Sequence, residues 1–313
     1  MTIWSLIFFV SYLEVIDLVE NARGTYLLEI IGLTKYYGKK LAISDVNLYV
    51  DSGEIVGFVG PNGAGKTTTM RTVMGYLKPS NGKIFLFGEE VTRNNLHRLI
   101  KDVGYVPGEV NYYPDVTVKK ILDFYASFYP DFDKDYCEKL CSNFDIPLNK
   151  KFEELSLGNK KKVSIIQSLA HKPKLLILDE PTNALDPFIQ KKLYNVLEEL
   201  KKQGVGILLS SHVLNEVERL CDRVIFIKGG KVIVPKVFRK SLKKVTLING
   251  IFDESVFKNY NEIVDLKRNN SDITIFFDGD VKRLIDLLNK VECSDVLIED
   301  LSLEDVFEKL YQS

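Results

Sequence analysis

The chain has 313 residues and a mass of 35.7 kDa, room for about two domains. Hydrophobic residues make up 45% and charged residues 27%, close to soluble globular averages, which excludes disordered, collagen-like and mucin-like classes. With 42 basic against 43 acidic residues no whole-molecule field favours nucleic acid, and four scattered cysteines (Cys137, Cys141, Cys221, Cys293) are too few for a disulfide framework and are read as buried thiols of a reducing compartment.

The first apolar run, Ile3 to Leu13, is shorter than the roughly 20 residues a membrane-crossing helix needs, and it lacks the basic leader and small-residue cleavage site of a signal peptide. Residues 1–24 are therefore set apart as an extension. It reads as a packing helix, a membrane-surface anchor or the product of a start assigned upstream of the true one. The last is favoured: Arg23-Gly24 can be encoded by a purine-rich stretch resembling a ribosome-binding site, and a strand pattern opens just after, at Tyr26-Leu27-Leu28-Glu29-Ile30.

Residues 27–60 alternate apolar and polar in short runs, with turn signals at Tyr37-Gly38 and Asp51-Ser52-Gly53, and predict a small antiparallel sheet. The run Ile55-Val56-Gly57-Phe58-Val59 is continuously apolar, as in a strand covered on both faces. Helical spacing follows from Thr67 to Leu77. Residues 115–150, rich in aromatic and acidic side chains, predict a helical insertion, taken as about 110–157 with its flanks. A helix over 158–171, a strand at Leu175-Leu176-Ile177-Leu178, a helix over 187–202 and a strand at Gly206-Ile207-Leu208-Leu209 then alternate as in a mostly parallel sheet. A hairpin over 224–234 turns at Gly229-Gly230. From residue 245 on there are seven basic and fifteen acidic residues, a shift that marks a small C-terminal α+β domain with strands near 245–251 and 272–277 and helices near 280–291 and 303–311. The basic stretch Lys236, Arg239, Lys240, Lys243, Lys244 reads as a solvated linker, preferred over a contact with anionic lipid. The predicted domains are thus 1–24, 25–235 and 236–313.

Between the buried strand and the first helix lies Gly60-Pro61-Asn62-Gly63-Ala64-Gly65-Lys66-Thr67, the pattern of a phosphate-binding loop in the context its mechanism requires. Glycines let backbone N–H groups wrap a phosphate chain, Lys66 reaches the β and γ phosphates, the Thr67 hydroxyl binds Mg²⁺, and Thr68 is placed to donate to the α-phosphate. The apolar strand from Leu175 ends on Asp179, a second Mg²⁺ ligand, and Glu180 beside it suits a general base that activates water. His212, after Ser210-Ser211 at another strand end, is placed to contact the γ-phosphate. No NKxD guanine reader is present, since Asn149-Lys150 is followed by Lys151-Phe152.

With these motifs in this order, the stretch from about Leu27 to Val234 resembles an ABC transporter ATP-binding subunit. Leu155-Ser156-Leu157-Gly158-Asn159 is similar to the family's signature, Asn183-Ala184-Leu185-Asp186 to its D-loop, and Tyr37 to the aromatic that stacks on adenine. The resemblance implies a P-loop NTPase fold, ATP and Mg²⁺ as ligands, and a homodimer or paired subunit in which Ser156 and Gly158 bind the γ-phosphate held by the opposite copy, with Asp186 at the shared site. It also implies a separate membrane permease and a place on the cytoplasmic face of the membrane. Leu157 stands for a usual glycine and Asn159 for a usual glutamine, variants associated with exporters. In Gly104-Tyr105-Val106-Pro107-Gly108-Glu109 the family's Q-loop glutamine aligns with Gly108, which leaves Glu109 as the candidate substitute. Tyr112-Tyr113-Pro114 and the helical segment after it resemble a surface that receives a permease helix, with core aromatics as the alternative reading. The ending Leu301-Ser302-Leu303-Glu304-Asp305-Val306-Phe307 is similar to the tail of ABC-2-type exporter ATPases. The leading expectation is an exporter motor; an importer ATPase and a soluble ABC ATPase acting on ribosomes or DNA stay open.

Overall fold

In the computed structural model the described residues are 26–233, 242–249, 260–269, 271–300, 302–305 and 307. The expected N-terminal extension, and Lys236, Arg239 and Lys240 of the expected linker, lie outside them. The chain divides between Val234 and Pro235 into two units.

The alternation after residue 27 produces β1 (Leu28–Tyr37) and β2 (Lys40–Val50), paired antiparallel through a turn in which Gly38 has φ 59°. β4 (Asn81–Leu86) pairs with β1 and the short β5 (Glu89–Glu90) with β4, so the antiparallel sheet draws on two stretches of chain. The fully buried β3 (Ile55–Val59) belongs to a second sheet. That sheet has the order β10-β9-β3-β8-β7-β6, formed by β6 (Val103–Val106), β7 (Leu175–Asp179), β8 (Gly206–Ser211), β9 (Arg223–Lys228) and β10 (Lys231–Ile233). All neighbours are parallel except the terminal β9–β10 hairpin, which turns at Gly229 and Gly230 with φ 55° and 80°. β6 is hard to see in the sequence because Val-Gly-Tyr-Val is too short for a period to show.

The helices are α1 (Lys66–Val73), α2 (Leu96–Leu99), α3 (Val118–Ala126), α4 (Lys134–Asn143), α5 (Leu157–Ala170), α6 (Pro187–Lys202) and α7 (Leu214–Leu220). α1 stops at Val73 rather than near Leu77, because Gly75 takes φ 74° and turns the chain. The insertion is helical in α3, in α4 and in a 3-10 turn at Phe152–Glu154; the N-caps Thr117 and Asp133 of the two α-helices each accept a backbone N–H, and its base closes on an isolated bridge between Thr117 and Lys151. Residues from both sheets and α1, among them Leu28, Ile43, Phe58, Met70 and Ile177, share one core. Arg223 ties that core's edge: its guanidinium donates to both Glu54 carboxylate oxygens at 2.8 and 3.1 Å and to the Tyr49 carbonyl at 2.7 Å. Cys137, Cys141 and Cys221 are buried, whereas Cys293 is half-exposed.

The second unit is one antiparallel sheet of order β12-β13-β11-β14, made of β11 (Leu242–Ile248), β12 (Ile263–Asn269), β13 (Asp272–Asp278) and β14 (Asp295–Asp300), with α8 (Val281–Leu288). Two of these strands, β12 and β14, are too charged to read as strands from sequence. α8 stops at Leu288, short of the expected residue 291, and packs Leu284 and Leu287 against Ile273, Ile275 and Phe277 of β13. The expected last helix is helical at 303–305 and 307, the rest lying outside the described residues. Lys243 and Lys244 are not linker: they sit in β11 and pair with Asp300 and Asp305.

Phe58 is fully buried at the centre of the first unit. Phe58→Ala should destabilise that unit by about 3–5 kcal/mol, read as a lower denaturant midpoint with the C-terminal unit's own transition unmoved.

Candidate functional site

β3 runs straight into the glycine loop, and α1 starts at Lys66 with Gly65 as its N-cap. Gly65 has φ 116°, and a Cβ there would meet Ile43 Cγ2 at 2.5 Å, so no other residue fits. With no side chain capping α1, its first N–H groups face the loop, the arrangement that binds phosphate. The loop is braced from behind by the β9–β10 hairpin, where Gly230 N donates to the Ala64 carbonyl at 2.9 Å. Pro61, Asn62 and Gly63 are exposed. Thr69 and Thr72 hydroxyls donate back to carbonyls one turn earlier, at 3.0 and 2.7 Å. Among the described residues Thr67 and Thr68 have no recorded side-chain hydrogen bond, which leaves both hydroxyls for a ligand.

The Lys66 side chain is only 4% exposed. It donates to the Gly60 carbonyl at 2.6 Å and lies 3.4 Å from Glu180 Oε1. Parallel pairing of β7 with β8 sets Asp179 opposite Ser210, so the Ser210 hydroxyl donates to Asp179 Oδ1 at 2.7 Å. Asp179 is fully buried, and its Oδ2 has no hydrogen-bond partner. A buried carboxylate oxygen without a donor calls for a cation. Asp179 and the Thr67 hydroxyl therefore fit Mg²⁺, an oxygen-seeking ion.

Glu180 takes φ 47°, a left-handed conformation that costs about 1–3 kcal/mol in a non-glycine residue. Its N–H is held there by the Ser210 hydroxyl at 3.1 Å and the Ser210 carbonyl at 3.2 Å. The turn aims the carboxylate at three groups: Lys66, His212 Nδ1 at 3.4 Å from Oε1, and Asn183 Nδ2, which donates to Oε2 at 2.5 Å. Burial raises its pKa, but Asn183, Lys66 and His212 together outweigh that and hold the carboxyl below its ordinary range. Glu180 is thus ionised at neutral pH. Ser211 supports the same corner, donating to the buried Glu216 at 2.8 Å, as Thr182 does at 3.0 Å.

Ser156 and Gly158 are not brought to this cluster by any recorded hydrogen bond. Ser156 caps α5, accepting Asn159 N–H at 3.3 Å, and Leu157 beside it is 74% exposed. Gly158 abuts the D-loop so closely that a Cβ would lie 2.6 Å from the Ala184 carbonyl. Asp186 spends its carboxylate as the N-cap of α6, accepting Phe188 and Ile189 N–H at 3.0 Å. Tyr37 stands at the end of β1 with its ring 48% exposed.

Gly108 lies against the buried Asp179 carboxylate: a Cβ there would be 3.2 Å from Asp179 Oδ2. Glu109 is exposed and makes no recorded side-chain bond; it lines a cleft of about 840 Å³ with Tyr76, Tyr112, Tyr125 and Phe128. Lys161, which belongs to no sequence pattern, is 3% exposed and donates to the carbonyls of Pro107, Gly108 and Asp179 at 2.9, 3.0 and 3.4 Å. Burial pulls its ammonium down to about 8, against the opposing pull of Asp179 and Glu180. Asn183 and Ser210 sit in motifs whose sequence assigns them no role, and only folding brings them to Glu180 and Asp179.

The family model described as ABC transporter matches residues 43–183. The bacitracin transport ATP-binding protein BcrA of Bacillus licheniformis is 32% identical over 301 residues, covering 91% of this chain and 97% of its own. The lipopolysaccharide export system ATP-binding protein LptB of Haemophilus influenzae is 33% identical over 208 residues, covering 64% and 86%. Among solved structures, the dimeric ABC cassette MJ0796 in a post-hydrolysis state with ADP and Pi is 25% identical, with a TM-score of 0.60 over 66% of this chain and 96% of that one. With the phosphate loop, the buried Asp179 and the ionised Glu180 in one place, and a relative aligned along nearly the whole length, this chain belongs to the ABC transporter ATP-binding proteins: it is a P-loop ATPase subunit of a transporter.

Proposed function

We propose that the chain is the ATP-hydrolysing motor of an exporter, working as a head-to-tail pair of cassettes on the cytoplasmic face of a membrane and driving a separate permease. The observation that carries the hydrolytic reading is the convergence of Lys66, His212 and Asn183 on one ionised carboxylate, Glu180. Export is favoured by an alignment with the bacitracin transport protein that takes in 91% of this chain, and by likeness to a subunit named for an export system. Among the described residues no helix is long and apolar enough to cross a membrane, so a transporter built on them needs membrane spans from elsewhere.

In this reading ATP lays its phosphates over the α1 N-terminus, and Lys66 turns from Glu180 to the β and γ phosphates. Glu180, released from that ammonium, gains basicity and takes a proton from the attacking water. His212 orients the γ-phosphate, Thr68 donates to the α-phosphate, and Tyr37 offers its ring to the adenine. Thr67 and Asp179 would hold Mg²⁺, whose charge offsets that developing on the phosphates. Ser156 and Gly158 of one copy close the site of the other, helped by the positive end of α5. The exposed Leu157 beside them belongs to the same joint surface. Glu109, with no tie to the metal carboxylate, is assigned to the aromatic cleft that receives the permease.

Glu180→Gln should keep ATP binding, lower kcat by at least about 10²-fold and accumulate an ATP-bound dimer on gel filtration, while a wild-type rate would refute the assigned base. Lys66→Ala should instead weaken ATP binding itself, read by nucleotide titration, because the phosphate charge loses its buried counter-ion. Glu109→Ala should leave basal hydrolysis unchanged and reduce stimulation by a reconstituted permease; a fall in basal rate would return Glu109 to the metal site.

A further inference from the structure

Lys161 is a buried cation of the first unit that the proposed chemistry does not use. Lysine is almost never fully buried unless it is paired, and here the ammonium is shut off from solvent with three backbone carbonyls as its recorded acceptors. None of the three belongs to its own helix. Two, Pro107 and Gly108, come from the loop after β6, and the third is the carbonyl of Asp179 at the tip of β7. Gly108 has no side chain with which to reach Asp179, yet its Cα is drawn in until a Cβ would stand 3.2 Å from Asp179 Oδ2. A second grip comes from the same helix: Gln167 Oε1 accepts from the Tyr112 hydroxyl, so α5 holds the loop near both its ends. α5 also begins at the signature, with Ser156 as its N-cap.

We infer that Lys161 is a positioning residue, which clamps the loop 107–108 onto the metal carboxylate and so couples movement of the signature helix to the geometry of Asp179 and Glu180. It does from α5 what a side chain at position 108 cannot do from the loop. A displacement of α5 relative to the central sheet must carry the loop and the end of β7 with it or break these hydrogen bonds. The bonds are made to fixed backbone atoms in a water-excluded setting, where they are worth more than exposed ones. The inference rests on the reading of Asp179 and Glu180 as metal ligand and base.

The test uses the full chain with Lys161→Met, which keeps an unbranched side chain one atom shorter and removes the charge and donors, and Lys161→Arg, which keeps the charge and donors. The expected result for Lys161→Met is an ATP affinity within about threefold of wild type and a kcat at least about tenfold lower, with most of the loss recovered in Lys161→Arg. Hydrogen exchange over residues 105–111 should accelerate in Lys161→Met while β3 and β8 stay protected. A wild-type kcat in Lys161→Met, or unchanged exchange in the loop, overturns the inference. So does a parallel fall of kcat, ATP affinity and Tm that Lys161→Arg does not recover, since lost packing alone gives that pattern. Glu180→Gln is measured alongside: if it hydrolyses at the wild-type rate the site reading falls and takes the inference with it, whereas an inactive Glu180→Gln beside a fully active Lys161→Met sinks only the role of Lys161.

Discussion

A carboxylate with no solvent contact, that of Asp179, is the constraint on which the first unit depends. Removing such a charge from water is costly unless charges and donors surround it. The fold supplies them from several separate stretches of chain. Ser210 donates to one oxygen because β7 and β8 run parallel in register. Lys161 brings a buried positive charge from α5 to the carbonyl of the same residue, and Lys66 approaches the neighbouring Glu180 from the phosphate loop. The remaining oxygen, Oδ2, has no hydrogen-bond donor. Strand order follows from this demand: β3, β8 and β7 must be adjacent for the loop, the serine and the carboxylate to meet.

Strain is concentrated beside that carboxylate. Glu180 and Ala184 both take left-handed backbone, with φ 47° and 65°. Between them the chain reverses from β7 into α6, and the reversal lets Asn183 bind the Glu180 carboxylate while Ala184 meets Gly158. A relaxed turn would point Glu180 elsewhere. The hydrogen bonds from Glu180 N to Ser210 offset the cost, which ties the aim of the carboxylate to the pairing of β8 as well.

The C-terminal unit is built on simpler terms. Val245 and Leu247 of β11, Ile273, Ile275 and Phe277 of β13 and the Leu284 and Leu287 stripe of α8 make its core. The segment that resembles an exporter tail is structural at its start: Ser302 and Asp305 form a reciprocal helix cap, and Lys244 of β11 pairs with the same Asp305. Burial works against ionisation of Asp305, but Lys244 and the Ser302 bonds prevail and keep it charged.

The phosphate loop, the strand ending in Asp179, the helices α5 and α6 and the β9–β10 turn were all legible in the sequence, because each depends on local chemistry: glycine conformations, capping side chains and continuous apolar runs. The family could be read for the same reason, its motifs being short and contiguous. What the sequence could not state is which distant residues share a neighbourhood. β6, β12 and β14 escaped notice because short or charged strands become strands only when a partner edge satisfies their backbone. Cys293 and the pair Lys243 and Lys244 were misjudged because burial and pairing are properties of a neighbour, not of a run. Lys161 carries no pattern at all, and a lysine in a helix rich in lysines looks like a solvated face. Only the packing of α5 against two loops decides that its ammonium is enclosed by carbonyls, since burial and hydrogen-bond satisfaction are set by contacts across 18 to 54 positions of chain.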